Sequence, residues 1–161
     1  MFKQILKIGL AASFVAASIA ATPARAADDG IVRVKSAYST DETIARLKKD
    51  IADKGIMFFT EIDQAQLAAK AGVTLPAIKR STLLIFGNPP LGTLFINGRP
   101  EAGIDWPVRL LVQEDTAGNV SATYTDFGWI ARRHGISGAN EGPFKTASGV
   151  IASITSSVAG K

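Results

Sequence analysis

The sequence predicts an α+β fold, a two-layer sandwich with a mainly antiparallel sheet and helices packed on one face. Three observations predict it. Strand-like residues 108–113 and 120–126 flank Asp115-Thr116-Ala117-Gly118-Asn119, the pattern of a hairpin. Residues 80–86 form a near-continuous apolar run between chain breakers, as in a central strand. The segments follow the order β-α-β, short α, β, α, β-β, α, and hairpin-joined strands with helices gathered elsewhere suit this class.

Each element has a local cause. Ile31, Arg33 and Lys35 alternate with Val32, Val34 and Ser36, which makes residues 31–38 a half-buried strand. Ser39-Thr40-Asp41-Glu42 follows as a capping box, in which Ser39 and Glu42 satisfy each other's free backbone amides. Ile44, Leu47 and Ile51 then recur at helical spacing up to Gly55, which suits a left-handed C-cap. Residues 56–62 are a second strand, and residues 64–71 a short Ala-rich helix stopped by Gly72.

After the central strand, Gly87-Asn88-Pro89-Pro90 is a turn in which Asn88 caps the next helix and Pro89 fixes its first turn. That helix, over residues 91–104, is interrupted by Gly98 and Pro100. Residues 127–134 form a helix ended by Gly135. Beyond the polar loop at 137–140, Ala147, Val150, Ile151, Ile154 and Val158 mark an amphipathic C-terminal helix over about residues 145–160.

The first 26 residues carry a different message. Residues 1–7 hold two lysines and no acid, and residues 8–24 are uncharged and mostly apolar. Ala24-Arg25-Ala26 places small residues at the −3 and −1 positions of a signal-peptidase site. Residues 1–26 are therefore expected to be a secretory signal, cleaved after Ala26. The remaining single domain, 27–161, is then periplasmic or secreted, with no membrane attachment. Of the 18 Lys and Arg residues, Lys3, Lys7 and Arg25 lie in the signal, which leaves 15 against 14 acids and a net charge of +1. Nucleic acid needs a clustered basic excess to displace phosphate counterions, so it is not an expected partner.

The chemistry is bounded mainly by exclusion. The chain has no cysteine and a single histidine, His134. That rules out disulfides, a thiolate nucleophile, cysteine-held iron–sulfur or haem groups, and a zinc site of the usual His and Cys type. No metal and no cofactor are expected. Residues 87–93 have the glycine spacing of half a phosphate loop, but the lysine is missing and two prolines remove needed amides. His134, following Arg132 and Arg133 at a helix end, reads as a solvated cation against the helix dipole. A serine triad would have to use it, yet no Gly-x-Ser-x-Gly turn presents a serine. Trp106 and Trp129 read as core or dimer-contact residues. Asp105 either caps a turn or pairs with Arg109 or Arg99, or stands as a carboxylate at a pocket mouth.

Several segments together resemble a known family. Glu61-Ile62-Asp63-Gln64-Ala65, the run from Leu83 to Pro89, Gly92-Thr93, Gly103-Ile104-Asp105-Trp106-Pro107 and Arg132-Arg133-His134-Gly135 look like the domain of unknown function 302. The likeness covers about residues 32–136. It implies a compact two-layer fold similar to one half of the TATA-binding protein, and a homodimer, but it supplies no activity. Two departures stand out. The family usually carries histidine where this chain has Gln64, and leucine where it has Trp106. A histidine acting as base or metal ligand could not be replaced by Gln64, because an amide does not titrate.

The sequence thus points to an exported, non-enzymatic dimer that binds a small apolar or amphipathic ligand, with Asp63, Gln64, Asn88 and Asp105 as candidate binding residues. Two rivals remain open. One is a hydrolase or lyase using Asp63, Asp105 and Asp126. The other is a structural module that meets an envelope partner through an exposed apolar patch. N-terminal sequencing of the protein from the envelope fraction is expected to begin at Ala27; a chain beginning at Met1 would refute export with cleavage.

Overall fold

The computed structural model describes residues 29–160, so the expected signal at 1–26 lies outside the described residues. Five strands form one sheet: β1 (Ile31–Lys35), β2 (Met57–Asp63), β3 (Ile78–Gly87), β4 (Val108–Asp115) and β5 (Val120–Thr125). Their order is β1-β5-β4-β3-β2, and every pairing is antiparallel. The expected α+β sandwich is the architecture observed. The apolar run from Leu83 to Phe86 lies in β3, which is flanked by both β2 and β4.

Register sorts the strand residues onto two faces. Leu84, Leu110 and Tyr124 align across β3, β4 and β5, as do Thr82, Val112 and Ala122. All six are buried, because this face carries the helices. On the other face Leu83 pairs with Leu111 and Ser81 with Gln113. The helical layer contains α1 (Thr40–Asp53), α3 (Pro89–Gly98), α4 (Phe127–Arg133) and α5 (Gly142–Ser156). The short α2 (Gln64–Lys70) buries none of its residues and packs against β3.

The helices begin and end largely for the reasons the sequence supplies. Gly55, Gly72 and Gly135 adopt φ of 65°, 70° and 65°, a left-handed conformation that glycine reaches without steric cost. Ser39 accepts from the Glu42 amide at 3.3 Å. The return half of that capping box is absent: the Glu42 carboxylate turns along the helix, and its Oε1 accepts from Nε and Nη2 of Arg46 at 3.0 and 2.9 Å. A charge-assisted pair one turn away outcompetes a neutral amide. The segment expected as one interrupted helix resolves into α3 and a separate 3₁₀ turn, Pro100–Asp105. The C-terminal helix, Gly142–Ser156, also starts earlier than the expected 145–160, because Pro143 sits in its first turn, where its missing N–H has no cost, and it ends four residues sooner.

Two aromatic contacts tie the layers together. Phe95 of α3 stacks on Phe144 of α5 with ring centroids 4.2 Å apart, and Phe127 tilts against Phe95 at 5.7 Å. All three are nearly fully buried, and each contributes about 1.5–3 kcal/mol by burial. Trp106 lies over bare backbone at Gly87 and Gly92, where a Cβ would collide with the indole ring. Gly92→Ala would ordinarily favour a helix. Here it is expected to cost about 1–3 kcal/mol in urea unfolding through overpacking. Trp106→Leu in the same chain is expected to show positive coupling with it in a double-mutant cycle. A Gly92→Ala chain as stable as the native one would contradict this close approach.

Candidate functional site

The four sequence-predicted residues divide among three places. Asp63 ends β2 and caps α2, accepting from the Gln66 amide at 2.8 Å. Gln64 accepts through Oε1 from the Ser81 hydroxyl at 2.9 Å, and Gln113 donates to the same hydroxyl at 3.4 Å. The residue standing where the family resemblance implies histidine is therefore part of a neutral hydrogen-bond chain beside β3 and β4. Met57, at the other end of β2, pairs with Gly87, next to Asn88. At the rise of a strand, the six steps from Met57 to Asp63 put Asp63 and Gln64 about 20 Å from that end.

Asn88 is the N-cap of α3: its Oδ1 accepts from the Leu91 amide at 3.0 Å. Pro89 and Pro90 occupy the first helical positions, where their missing donors are not needed. No hydrogen bond joins Asn88 to Asp105. The expected convergence of the four residues does not form: Asp63 and Gln64 lie at the far end of β2, and Asn88 and Asp105 are taken up by a helix cap and an ionic cluster.

Asp105 is buried, with a side chain only 6% exposed, and it is the hub of an ionic cluster. His134 Nε2 lies 2.6 Å from its Oδ2, and Arg133 donates through Nη1 to both oxygens at 3.2 and 3.3 Å. Arg109 stands 3.6 Å away. The expectation of a pairing with Arg109 holds, but Arg99 pairs with Glu101 instead. The view of His134 as a solvated cation is corrected. It is the C-cap of α4, its side chain is 9% exposed, and it is spent on Asp105. The cluster fastens the 3₁₀ turn before β4 to the end of α4, which is a structural task.

The carboxylates of the hydrolase reading also stand apart. Asp126 caps α4, accepting from the Trp129 amide at 2.7 Å. Seven helical residues, about 10 Å at helical rise, separate it from the His134 end where Asp105 binds. Asp63 is at the far end of β2. Among the described residues, no three His, Asp or Glu side chains gather as a metal set. A polar depression near Ser36 and Asn119 includes Glu114, but Lys79 and Thr40 each bond that carboxylate at 2.7 Å. Lys79 first, then Thr40, holds its pKa below the usual carboxylate range.

What sequence reasoning missed is a groove. It has a volume of about 670 Å³ and runs between α3 and α5, with Ile56 at one end. Leu91, Leu94 and Val150 form its apolar walls, while Asn88, Lys54 and Ser153 supply polar edges. Leu94 is 48% exposed, although its neighbour Phe95 on the same helix is buried in the core. Two small inner cavities of about 30 Å³ each continue from it, and Asn88 and Leu91 line both of them as well. The inner end of this system reaches Trp106. Asn88 is thus the one predicted residue that faces a ligand-sized space.

Comparison with known proteins adds family and fold. The family described as "Domain of unknown function DUF302" matches residues 32–154, which takes in α5 beyond the expected 32–136. A crystal structure titled as an uncharacterized conserved DUF302 protein from Bacillus stearothermophilus superposes with a TM-score of 0.72 at 15% identity, covering 80% of this chain and 98% of that one. Proteins named fluoride-specific ion channel FluC 1, from Brucella suis and Brucella abortus, are 38% identical over 109 residues. That stretch is 68% of this chain but only 42% and 39% of those proteins, so this chain spans about two-fifths of their length. No described helix of this chain is long and apolar enough to cross a membrane.

The contrast between hub and cap can be measured. Asp105→Ala leaves the buried His134 and the half-exposed Arg133 and Arg109 without their shared partner and is expected to lose about 3 kcal/mol in chemical denaturation. Asn88→Ala removes one helix cap and is expected to lose about 1 kcal/mol. Equal losses would mean that Asp105 is not the hub described.

Proposed function

The chain belongs to the DUF302 family, and on that premise we propose that it is an exported, non-enzymatic binding domain whose ligand is a small amphipathic molecule. The observation that carries this reading is the groove between α3 and α5, with apolar walls and a few polar groups at its edges. Binding sites for small molecules have this composition: apolar surface supplies affinity, and few polar groups fix orientation. A leucine left half exposed on such a wall gains by being covered. The separate structural duties of Asp63, Asp105 and Asp126 favour binding over acid–base catalysis, which needs two groups on one substrate.

The homodimer implied by the family resemblance is part of the proposal. Its support is the sheet face turned away from the main helical layer. There Leu83 and Leu111 are only half-buried, and Met57 of the edge strand is 52% exposed.

A second reading, of a module that accompanies a membrane protein, is favoured by the Brucella relatives. The stretch alike to this chain makes up less than half of proteins named as channels. On that reading the likeness concerns a domain carried by the channel protein, and the chain meets an envelope partner through it.

Titration with the neutral fluorophore Nile red is expected to give saturable binding at one site per chain. Leu94→Glu, at an exposed position that the fold tolerates, is expected to abolish it while leaving the circular dichroism unchanged. Binding that does not saturate, or that survives Leu94→Glu, would overturn the groove as the site. Native mass spectrometry of the same sample reads the dimer and any small molecule carried along.

A further inference from the structure

We propose that the groove takes a free, single-chain amphiphile with an anionic head, such as a medium-chain carboxylate. This rests on the binding reading above and adds the chemistry of the ligand. The first argument is direction. Phe95 stacks on Phe144, which sets the later part of α3 against the first turn of α5. Asn88, at the start of α3, shares a cavity with Val150 and Ile151 further along α5. The two helices therefore run in opposite senses along the groove. Leu94 lies at one end, and Asn88 lies at the other with Ser153 and Lys54.

The second argument is charge. Among the described residues Lys54, like Lys35 and Lys70, takes part in no ion pair, whereas Lys48, Lys49, Lys79 and Lys145 each hold a carboxylate; of the three, only Lys54 lines the groove. No Asp or Glu lines the groove. Asn88 uses only its Oδ1 as the helix cap, which leaves the two N–H donors of its amide without a partner among the described residues. The Ser153 hydroxyl adds a third donor on the same side. A cation and neutral donors with no competing acid suit a carboxylate or a related anion.

The third argument is a glycine that the packing of the protein does not require. Gly149 lies inside α5, where glycine weakens a helix relative to alanine. A Cβ there would touch nothing within 4 Å, so packing does not require its absence. Yet Gly149 lines the groove, midway between Thr146 and Ser153. Bare backbone at that point lets an apolar chain lie close against α5. From Thr146 to Ser153 the floor is about 10 Å long at helical rise, a span that suits a medium-length chain.

The test compares one chain carrying three head groups. Decanoate, decanol and decyltrimethylammonium are titrated calorimetrically into the native protein, into Lys54→Met and into Gly149→Ala. Decanoate is expected to bind about tenfold tighter than decanol, the effect of one charge-assisted contact, and the cationic amphiphile weakest. Lys54→Met is expected to erase that preference, bringing decanoate to the level of decanol in the same variant. Gly149→Ala is expected to raise the thermal midpoint while weakening decanoate, a combination that a purely structural glycine would not give. Equal binding of all three head groups, or a preference for the cation, would overturn the inference and leave the groove reading standing. No binding of any of them, together with no Nile red signal, would overturn both. Two further results would overturn it by assigning the groove to another occupant: sedimentation with phosphatidylglycerol vesicles without decanoate uptake, or a concentration-dependent dimer mass abolished by Leu94→Glu.

Discussion

The stack of Phe95 on Phe144 is the contact on which the rest of the helical layer depends. The helix-bearing face of the sheet must be covered along its length, and α3 and α5 meet over it at this pair of rings, with Phe127 bringing in α4. A stack at one point fixes two helices there and leaves their separation free elsewhere. Beyond it, the residues that α3 and α5 turn towards each other are Leu91, Leu94, Gly149 and Val150. Their side chains are too few and too small to fill the space. The groove is thus a consequence of how the core is closed.

Polar residues in this chain are largely consumed by architecture. Asp63, Asn88 and Asp126 each cap a helix, and Asp105 holds a histidine and two arginines. A carboxylate used in this way is already engaged, Asp63 and Asp126 by one backbone amide each and Asp105 by three side chains, and moving it to a substrate would require breaking those bonds. Catalysis by such groups would oppose the fold at each turnover, whereas binding through apolar walls leaves the fold intact. The same reasoning separates Asn88 from the others. Its cap uses one oxygen and leaves an amide pointing into accessible space.

Much of this was legible in the sequence because its causes are local. The capping roles of Ser39 and Asn88, the glycine stops at 55, 72 and 135, and the hairpin around Asp115 all depend on residues within four positions of one another. The cluster at Asp105 was not legible, since His134 lies 29 residues away and nothing in the spacing announces the pair. The groove was harder still. Leu91, Leu94 and Val150 carry the same apolar periodicity as buried core residues, and periodicity reports a shared face, not whether a neighbour covers it. Gly149 gave a faint signal, a glycine in mid-helix with no turn to make, which becomes meaningful once the space above it is seen.

The two departures from the family pattern bear on this geometry in different ways. Gln64 keeps a hydrogen bond to Ser81 but cannot change charge, and it lies far from the groove, so it leaves that site unaltered. Trp106 is different. Its ring rests on Gly87 and Gly92, beneath the start of α3, and closes the inner end of the cavity system that Asn88 and Leu91 line. A leucine there would fill less volume and would not need both glycines bare. Indole and glycines therefore act as one unit, with the large side chain possible only where backbone replaces side chain beneath it. The unit sets how far inward the groove can run. With the indole in place the inner spaces are about 30 Å³ each, room for little more than a methyl group. An occupant of this chain must then lie along the outer groove between α3 and α5, not penetrate beneath the helices, a condition that an extended single chain meets.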